Sequence, residues 1–183
     1  MNKYRIVYAD PPWKPLESGT GVRGTADLKK RYNGVMKVEE ICALPIKEIC
    51  EDDAMLFLWA TFPRLQEAMQ VIGAWGFRYY GLGFNWIKLN KKSDTPFWGM
   101  GYYTRQNPEI CLIGVKEGRQ EPQVRNIHSV VMTKVEEHSK KPECVKDYIV
   151  EILGDIPRIE LFARDKTDGW DVWGNEVESD ITI

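Results

Sequence analysis

Metal and disulfide chemistry have little to work with in this sequence. It carries two histidines, His128 and His138, and four cysteines, Cys42, Cys50, Cys111 and Cys144, set far apart with no Cys-x-x-Cys pair. Neither the ligand spacing of a zinc module nor the dense pairing of a small secreted domain is present, so the thiols read as core residues and no metal is expected. No apolar run approaches the ~20 residues that span a bilayer. The start, Met-Asn-Lys-Tyr-Arg-Ile-Val-Tyr, lacks a signal-peptide core, and the expectation is a cytoplasmic protein with no membrane partner. Repeats, low-complexity tracts and linkers are also missing, which predicts one domain over residues 1–183. Nor is there an excess of positive charge. A net charge of −2 gives no polycation field, so a nucleic-acid binder of this composition has to concentrate its lysines and arginines locally.

What is there alternates between strand and helix patterns. Residues 4–9 are β-formers that run into Asp10, and 54–61 form a continuous apolar run suited to a central strand buried on both faces. Pro63 then opens a helix whose apolar stripe is Leu65, Ala68, Met69, Ile72 and Trp75, closed by Gly73 or Gly76. Strand-like runs follow at 79–89, 109–116 and 158–163. A second helix begins near Pro142, carries Val145, Tyr148, Ile149, Ile152 and Leu153, and ends at Gly154. Three long polar stretches, 14–36, 91–107 and 117–136, interrupt this pattern and read as binding loops. Such a sequence predicts an α/β layer architecture with a mostly parallel sheet flanked by helices, ligands gathering at the carboxyl ends of the strands. Asp10 and Arg164 each follow a strand directly.

The tetrapeptide Asp10-Pro11-Pro12-Trp13 ends the first strand. Chance places it in on the order of one chain in a few thousand. As bare structure it is a proline-stiffened turn with a packed tryptophan, but its chemistry suits a harder task. Adenine's exocyclic amine is a poor nucleophile because its lone pair is delocalised into the ring. A carboxylate and a backbone carbonyl that accept its two N–H groups hold the nitrogen closer to tetrahedral. Asp10 offers the carboxylate, Pro11 a carbonyl, Pro12 a restricted backbone, and Trp13 a π-face on which a flipped base can stack. Such a site works by positioning and needs no metal.

The motif, its N-terminal place and several downstream segments resemble the MT-A family of N6-adenine methyltransferases, to which the catalytic subunit of the messenger-RNA adenine methyltransferase belongs. The segments are Leu56-Phe57-Leu58-Trp59, Glu109 to Lys116, Ser139-Lys140-Lys141-Pro142-Glu143, Ile159 to Arg164 and Trp173-Gly174-Asn175. The resemblance implies a Rossmann-like, S-adenosylmethionine-dependent fold, permuted so that the catalytic motif is N-terminal. It implies that Asp10 contacts both the target amine and the donor, that Lys141 binds the donor's carboxylate, and that Glu160, Arg164, Asn175 and Glu176 hold its ribose. Tyr32 is the matching base-pocket tyrosine. Two departures stand out: the chain begins nine residues before Asp10, and Asp165-Lys166-Thr167-Asp168 lacks the His-Asn pair that reads the donor's adenine in relatives.

The expected activity is methylation of adenine N6 in nucleic acid, with DNA preferred over RNA because the compact chain resembles phage or bacterial DNA modifiers. A catalytically silent nucleic-acid-binding subunit is the competing reading, against which the intact motif argues. Lys29, Lys30 and Arg31 on one loop, with Arg119 and Arg125 on another, are the expected phosphate contacts beside a flipped adenine. Trp86 reads as core, whereas Trp98, Tyr102 and Tyr103 stay open between core and substrate surface. The sequence leaves open whether a second copy or a heteromeric partner completes the groove.

Overall fold

The computed structural model describes residues 3–14, 34–136 and 140–183. One seven-stranded sheet organises them: β1 (Tyr4–Ala9), β2 (Cys50–Ala60), β3 (Arg78–Leu89), β4 (Pro108–Val115), β5 (Val130–Lys134), β6 (Arg158–Leu161) and β7 (Asp171–Trp173), in the order β5-β3-β4-β2-β1-β6-β7. The pairs β1–β2, β1–β6, β3–β5 and β6–β7 are parallel, and β4 is antiparallel to both β2 and β3. Six strands therefore point one way and β4 the other. This is the mostly parallel α/β sheet that the sequence predicts.

The alternation of side chains across β1 explains its central place. Val7 and Ala9 pack on one face with Ala68, Val71 and Ile72 of a helix, and Ile6 and Tyr8 pack on the other with Val145, Ile149 and Leu153 of a second helix. Burying both faces of a strand is what a near-continuous apolar run permits, and β2 follows the same rule from Ala54 to Ala60. The helices are α1 (Val38–Cys42), α2 (Leu65–Ala74) and α3 (Cys144–Leu153). Among the described residues no helix is long and apolar enough to cross a membrane.

Four details differ from the sequence expectation. Helix α2 begins after a 3-10 turn at Phe62–Arg64, and Leu65 and Met69 are exposed rather than buried. At 100° per residue the buried stripe centres on Ala68, Val71, Ile72 and Trp75, which leaves Leu65 and Met69 on its flank. Helix α1 and the turn Ile46–Ile49, which bury Ile41, Ile46 and Ile49, are too short for a periodic signal. β5 and β7 are short edge strands inside stretches that read as loop or turn. Finally, β6 stops at Leu161 because Phe162 turns to φ 61°. The helix ends agree with expectation: Gly76 (φ 81°) follows α2, and Gly154 (φ 88°) caps α3 with its N–H on the Val150 carbonyl at 2.7 Å.

Candidate active site

Asp10 leaves β1 at the carboxyl end of the parallel strands. The other strands bring their charged residues to the same end. Lys88 sits near the end of β3, Glu109 at the start of the reversed β4, Lys141 ahead of α3, and Asn175 just past β7. Reversal of β4 is what places Glu109 here, since its first residues lie beside the last residues of β2 and β3 (Ala60 opposite Ile110, Trp86 opposite Glu109).

These side chains form one linked cluster. The Lys141 ammonium donates to Asp10 Oδ2 at 2.6 Å and lies 3.2 Å from Glu109 Oε2. Lys88 donates to the other Glu109 oxygen. Trp59 forms the wall beneath, with Lys141 Nζ 5.7 Å from its ring centroid, and its indole N–H donates to the Tyr8 hydroxyl at 2.7 Å. Burial pushes the Asp10 carboxyl above its ordinary value, the Lys141 charge offsets only part of this, and Glu109 adds to it. Glu109 goes the other way. Burial acts to raise it, but the Lys141 and Lys88 charges outweigh burial and hold it below its ordinary value. Lys141, which burial alone lowers, is held above the usual lysine range by the two acids. A cation ahead of a helix N-terminus needs an anionic neighbour, and here the protein supplies two.

The turn itself is fixed by backbone bonds. The Trp13 N–H donates to the Pro11 carbonyl at 2.8 Å, leaving that carbonyl one lone pair, and the Met36 N–H donates to the Pro12 carbonyl at 3.0 Å. Trp13 is half-buried, with its indole N–H on the Trp59 carbonyl at 3.1 Å. A second, partly buried pair lies beside this cluster: Lys146 of α3 donates to Glu160 Oε2 and to Thr167 Oγ1, both at 2.6 Å. Burial raises the Glu160 carboxyl, and Lys146 only partly opposes this.

Asn175 is positioned by close backbone packing. A Cβ on Gly174 would stand 2.1 Å from the Ala163 carbonyl oxygen, so only glycine lets β7 and the turn after β6 meet. One residue on, the Asn175 amide lies against Gly34, where an added Cβ would be 3.0 Å from Nδ2. Arg164 and Glu176 pair at 3.6 Å at the rim. Asp10, Lys141, Glu160, Arg164, Asn175 and Glu176 are thus brought to one end of the sheet.

Tyr32, Lys29, Lys30 and Arg31 lie outside the described residues. Arg119 and Arg125 do not join the site. They follow β4, whose reversed direction delivers residue 116 onward to the opposite end of the sheet, where the Gly118 N–H contacts the Asp52 carbonyl ahead of the buried part of β2. Arg119 lies over the Tyr80 ring, and Arg125 pairs with Glu121 at 3.3 Å in solvent. Sequence reasoning placed them on a loop at the rim, and the antiparallel pairing of β4 carries that loop to the other end. That reasoning gave no place in this cluster to Glu109, Lys88 or Lys146. Glu109 opens one of the quoted segments, and a carboxylate at the margin of an apolar strand is the signal that could have found it.

Comparison with known proteins gives consistent results. The MT-A70 family model matches residues 4–176. The chain is 30% identical to the type II methyltransferase M.MunI of a Mycoplasma species over 96% of its own length and 78% of that protein. It is 27% identical to an N(6)-adenosine-methyltransferase MT-A70-like protein of Arabidopsis thaliana, and 27% to the human N(6)-adenosine-methyltransferase catalytic subunit METTL3, over 97% of the chain in each case. It spans only 24% and 29% of those two proteins.

Proposed function

The chain belongs to the MT-A70 family, and from that premise we propose that it transfers a methyl group from S-adenosylmethionine to N6 of adenine in DNA. The observation that carries this is Asp10, a carboxylate held by a buried lysine at the carboxyl end of a central strand, inside an Asp-Pro-Pro-Trp turn. S-adenosylmethionine, when bound, supplies a methyl group on a sulfonium that an amine lone pair can attack.

The donor set suits that molecule chemically. Lys141 offers a cation for its carboxylate, Asp10 an anion for its ammonium and sulfonium, and Glu160, Glu176 and Asn175 acceptors and a donor for ribose hydroxyls, with Arg164 alongside. The residues of this chain do the remaining work. Asp10 accepts one N–H of the target amine, and the free lone pair of the Pro11 carbonyl accepts the other, which keeps the nitrogen's own lone pair aimed away from both. As the new N–C bond forms, the methyl–sulfur bond of a bound donor would break with its electron pair left on sulfur as a neutral thioether, and the nitrogen, now acidic, passes its proton to the Asp10 carboxylate. Lys141 favours the ionised form of Asp10 against the burial that opposes its charge, and Trp59 and Trp13 exclude water from the turn.

DNA is preferred to RNA on two grounds. The chain matches 78% of the length of a type II methyltransferase against 24% and 29% of the adenosine methyltransferases named above, and its identity to the former is the higher, 30% against 27%. The remaining elements of the reading are a single methyltransferase domain over residues 1–183 and a cytoplasmic setting. Incubation with labelled donor and separate DNA and RNA pools, followed by nucleoside analysis, tests the reading. N6-methyladenine in DNA alone is the expected result. Label confined to RNA overturns the substrate, and label in neither pool overturns the activity.

A further inference from the structure

Beyond the end of β3 the chain forms a hairpin flap from Asn90 to Asn107 before entering β4, at the same end of the sheet as Asp10. It is tightly built. A Cβ on Gly99 would fall 1.4 Å from the Gln106 carbonyl oxygen, and one on Gly101 would fall 2.1 Å from that of Thr104, so the two sides of the flap meet backbone to backbone. Asn90 ties its base through bonds to the Thr95 and Pro96 carbonyls at 3.3 and 3.1 Å.

The flap is rich in exposed rings. Trp98 is 71% exposed, Tyr102 84% and Tyr103 93%, the tyrosines standing edge to face at 4.9 Å on the tip. The Arg105 guanidinium covers the Trp98 ring at 5.0 Å. A cavity of about 440 Å³ opens beside them, lined by Phe97, Trp98, Arg105 and Asn107 among others. The segment carries Lys91, Lys92 and Arg105 against Asp94 alone, a net charge of +2 in a chain of net charge −2, and Asp94 is already paired with Lys134 at 3.2 Å. Lys88 and Glu109, at the flap's two roots, belong to the Asp10 cluster.

Exposed rings with π-faces, an arginine able to stack, and local positive charge on an acidic protein are the features that bind an unstacked, polyanionic strand. An apolar protein partner would bury the rings but would have no use for the positive charge beside them. We infer that the Asn90–Asn107 flap is a base-stacking platform for the DNA strand beside the target adenine, with Trp98, Tyr102 and Tyr103 stacking on bases and Lys91, Lys92 and Arg105 meeting phosphates. This inference rests on the proposed activity toward DNA. It also supplies the positive rim that Arg119 and Arg125 do not.

The test uses fluorescein-labelled oligo(dA), an abasic deoxyribose-phosphate oligomer of equal length, and oligo(rA), with anisotropy read at several salt concentrations. The variant W98A/Y102A/Y103A should bind oligo(dA) about ten-fold more weakly or worse, with the salt slope unchanged, and should bind the abasic oligomer as the wild type does. W98F/Y102F/Y103F keeps the rings and should retain affinity, which separates stacking from damage to the flap. K91A/K92A should flatten the salt slope on both DNA probes. Equal oligo(dA) binding by the wild type and the ring-less variant overturns the inference. So does a loss confined to oligo(rA), or a change only in assembly mass by light scattering, which would make the flap a protein contact. If wild type methylates DNA while the ring-less variant binds normally, this inference alone has failed. If wild type neither binds nor methylates any probe, the functional reading has failed with it.

Discussion

The two ends of the sheet are furnished with the same residue types and treat them in opposite ways. At the carboxyl end, Lys141 and Glu109 are 11% and 13% exposed and joined to Asp10 and Lys88 in one cluster. At the other end, Arg125 and Glu121 are 76% and 72% exposed and pair with each other in solvent, and Arg5 reaches Asp53 at a half-solvated margin. Solvated ion pairs contribute little, and buried ones carry a desolvation cost that hydrophobic residues of similar volume would avoid. At the carboxyl end the least exposed charges are linked to one another, as a chemical site requires, whereas at the opposite end even the largely buried Arg158 guanidinium pairs with an exposed partner, Asp155.

The sharpest way to break this contrast is at Asp10. Asp10→Ala should abolish methyl transfer while the circular dichroism spectrum stays native. More than about a tenth of wild-type turnover, ~1.4 kcal/mol on the barrier, would remove Asp10 from the reaction. Next in size is Lys141→Met, which leaves two buried carboxylates without their shared cation. Stability at neutral pH should drop by about 3 kcal/mol. The deficit should shrink as the acids protonate toward low pH, and denaturant melts across pH measure it. An equally large loss in Arg125→Met would erase the distinction between the two ends.

A smaller effect separates the two acids that share Lys141. The Asp10 carboxyl is raised in the folded state, so its contribution to stability is full only below the ordinary carboxylate range and is lost as pH rises through its folded value. The Glu109 carboxyl is lowered, so its contribution is present above the ordinary range and lost as pH falls through its folded value. Asp10→Asn should therefore melt no lower than wild type at neutral pH, and Glu109→Gln should melt a few degrees lower. Melting curves that move together would show that the two carboxylates are not opposed. Asn175→Ala should weaken binding of the demethylated donor product about ten-fold by calorimetry, the loss of a hydrogen bond at a positioned amide. Smallest of all, Arg119→Ala with Arg125→Ala should change stability by no more than about 0.5 kcal/mol and leave the salt dependence of DNA binding untouched. A flattened slope would return those residues to the nucleic-acid surface.

Much of the architecture was legible because its signals are local. The apolar runs of β1 and β2, the glycine caps Gly76 and Gly154, and the turn at Asp10 each depend on a few adjacent residues and the periodicity of their side chains. Trp86 could be read as core for the same reason, whereas Trp98, Tyr102 and Tyr103 could not be resolved, since aromatic residues in a Gly-rich stretch pack or project according to what lies opposite.

What the sequence by itself determined was the alternation of layers, the residues that end each strand, and the presence of a carboxylate in a proline-stiffened turn. Tertiary structure alone decided the direction of β4, because antiparallel pairing with β2 and β3 is chosen by contacts between residues more than 20 positions apart, such as Trp59 with Cys111 and Trp86 with Glu109. That one reversal carried Glu109 to Lys141 and Asp10, and took Arg119 and Arg125 away from them. A strand's composition is nearly the same in either direction, so its pattern states that it is buried but not which of its ends meets the site.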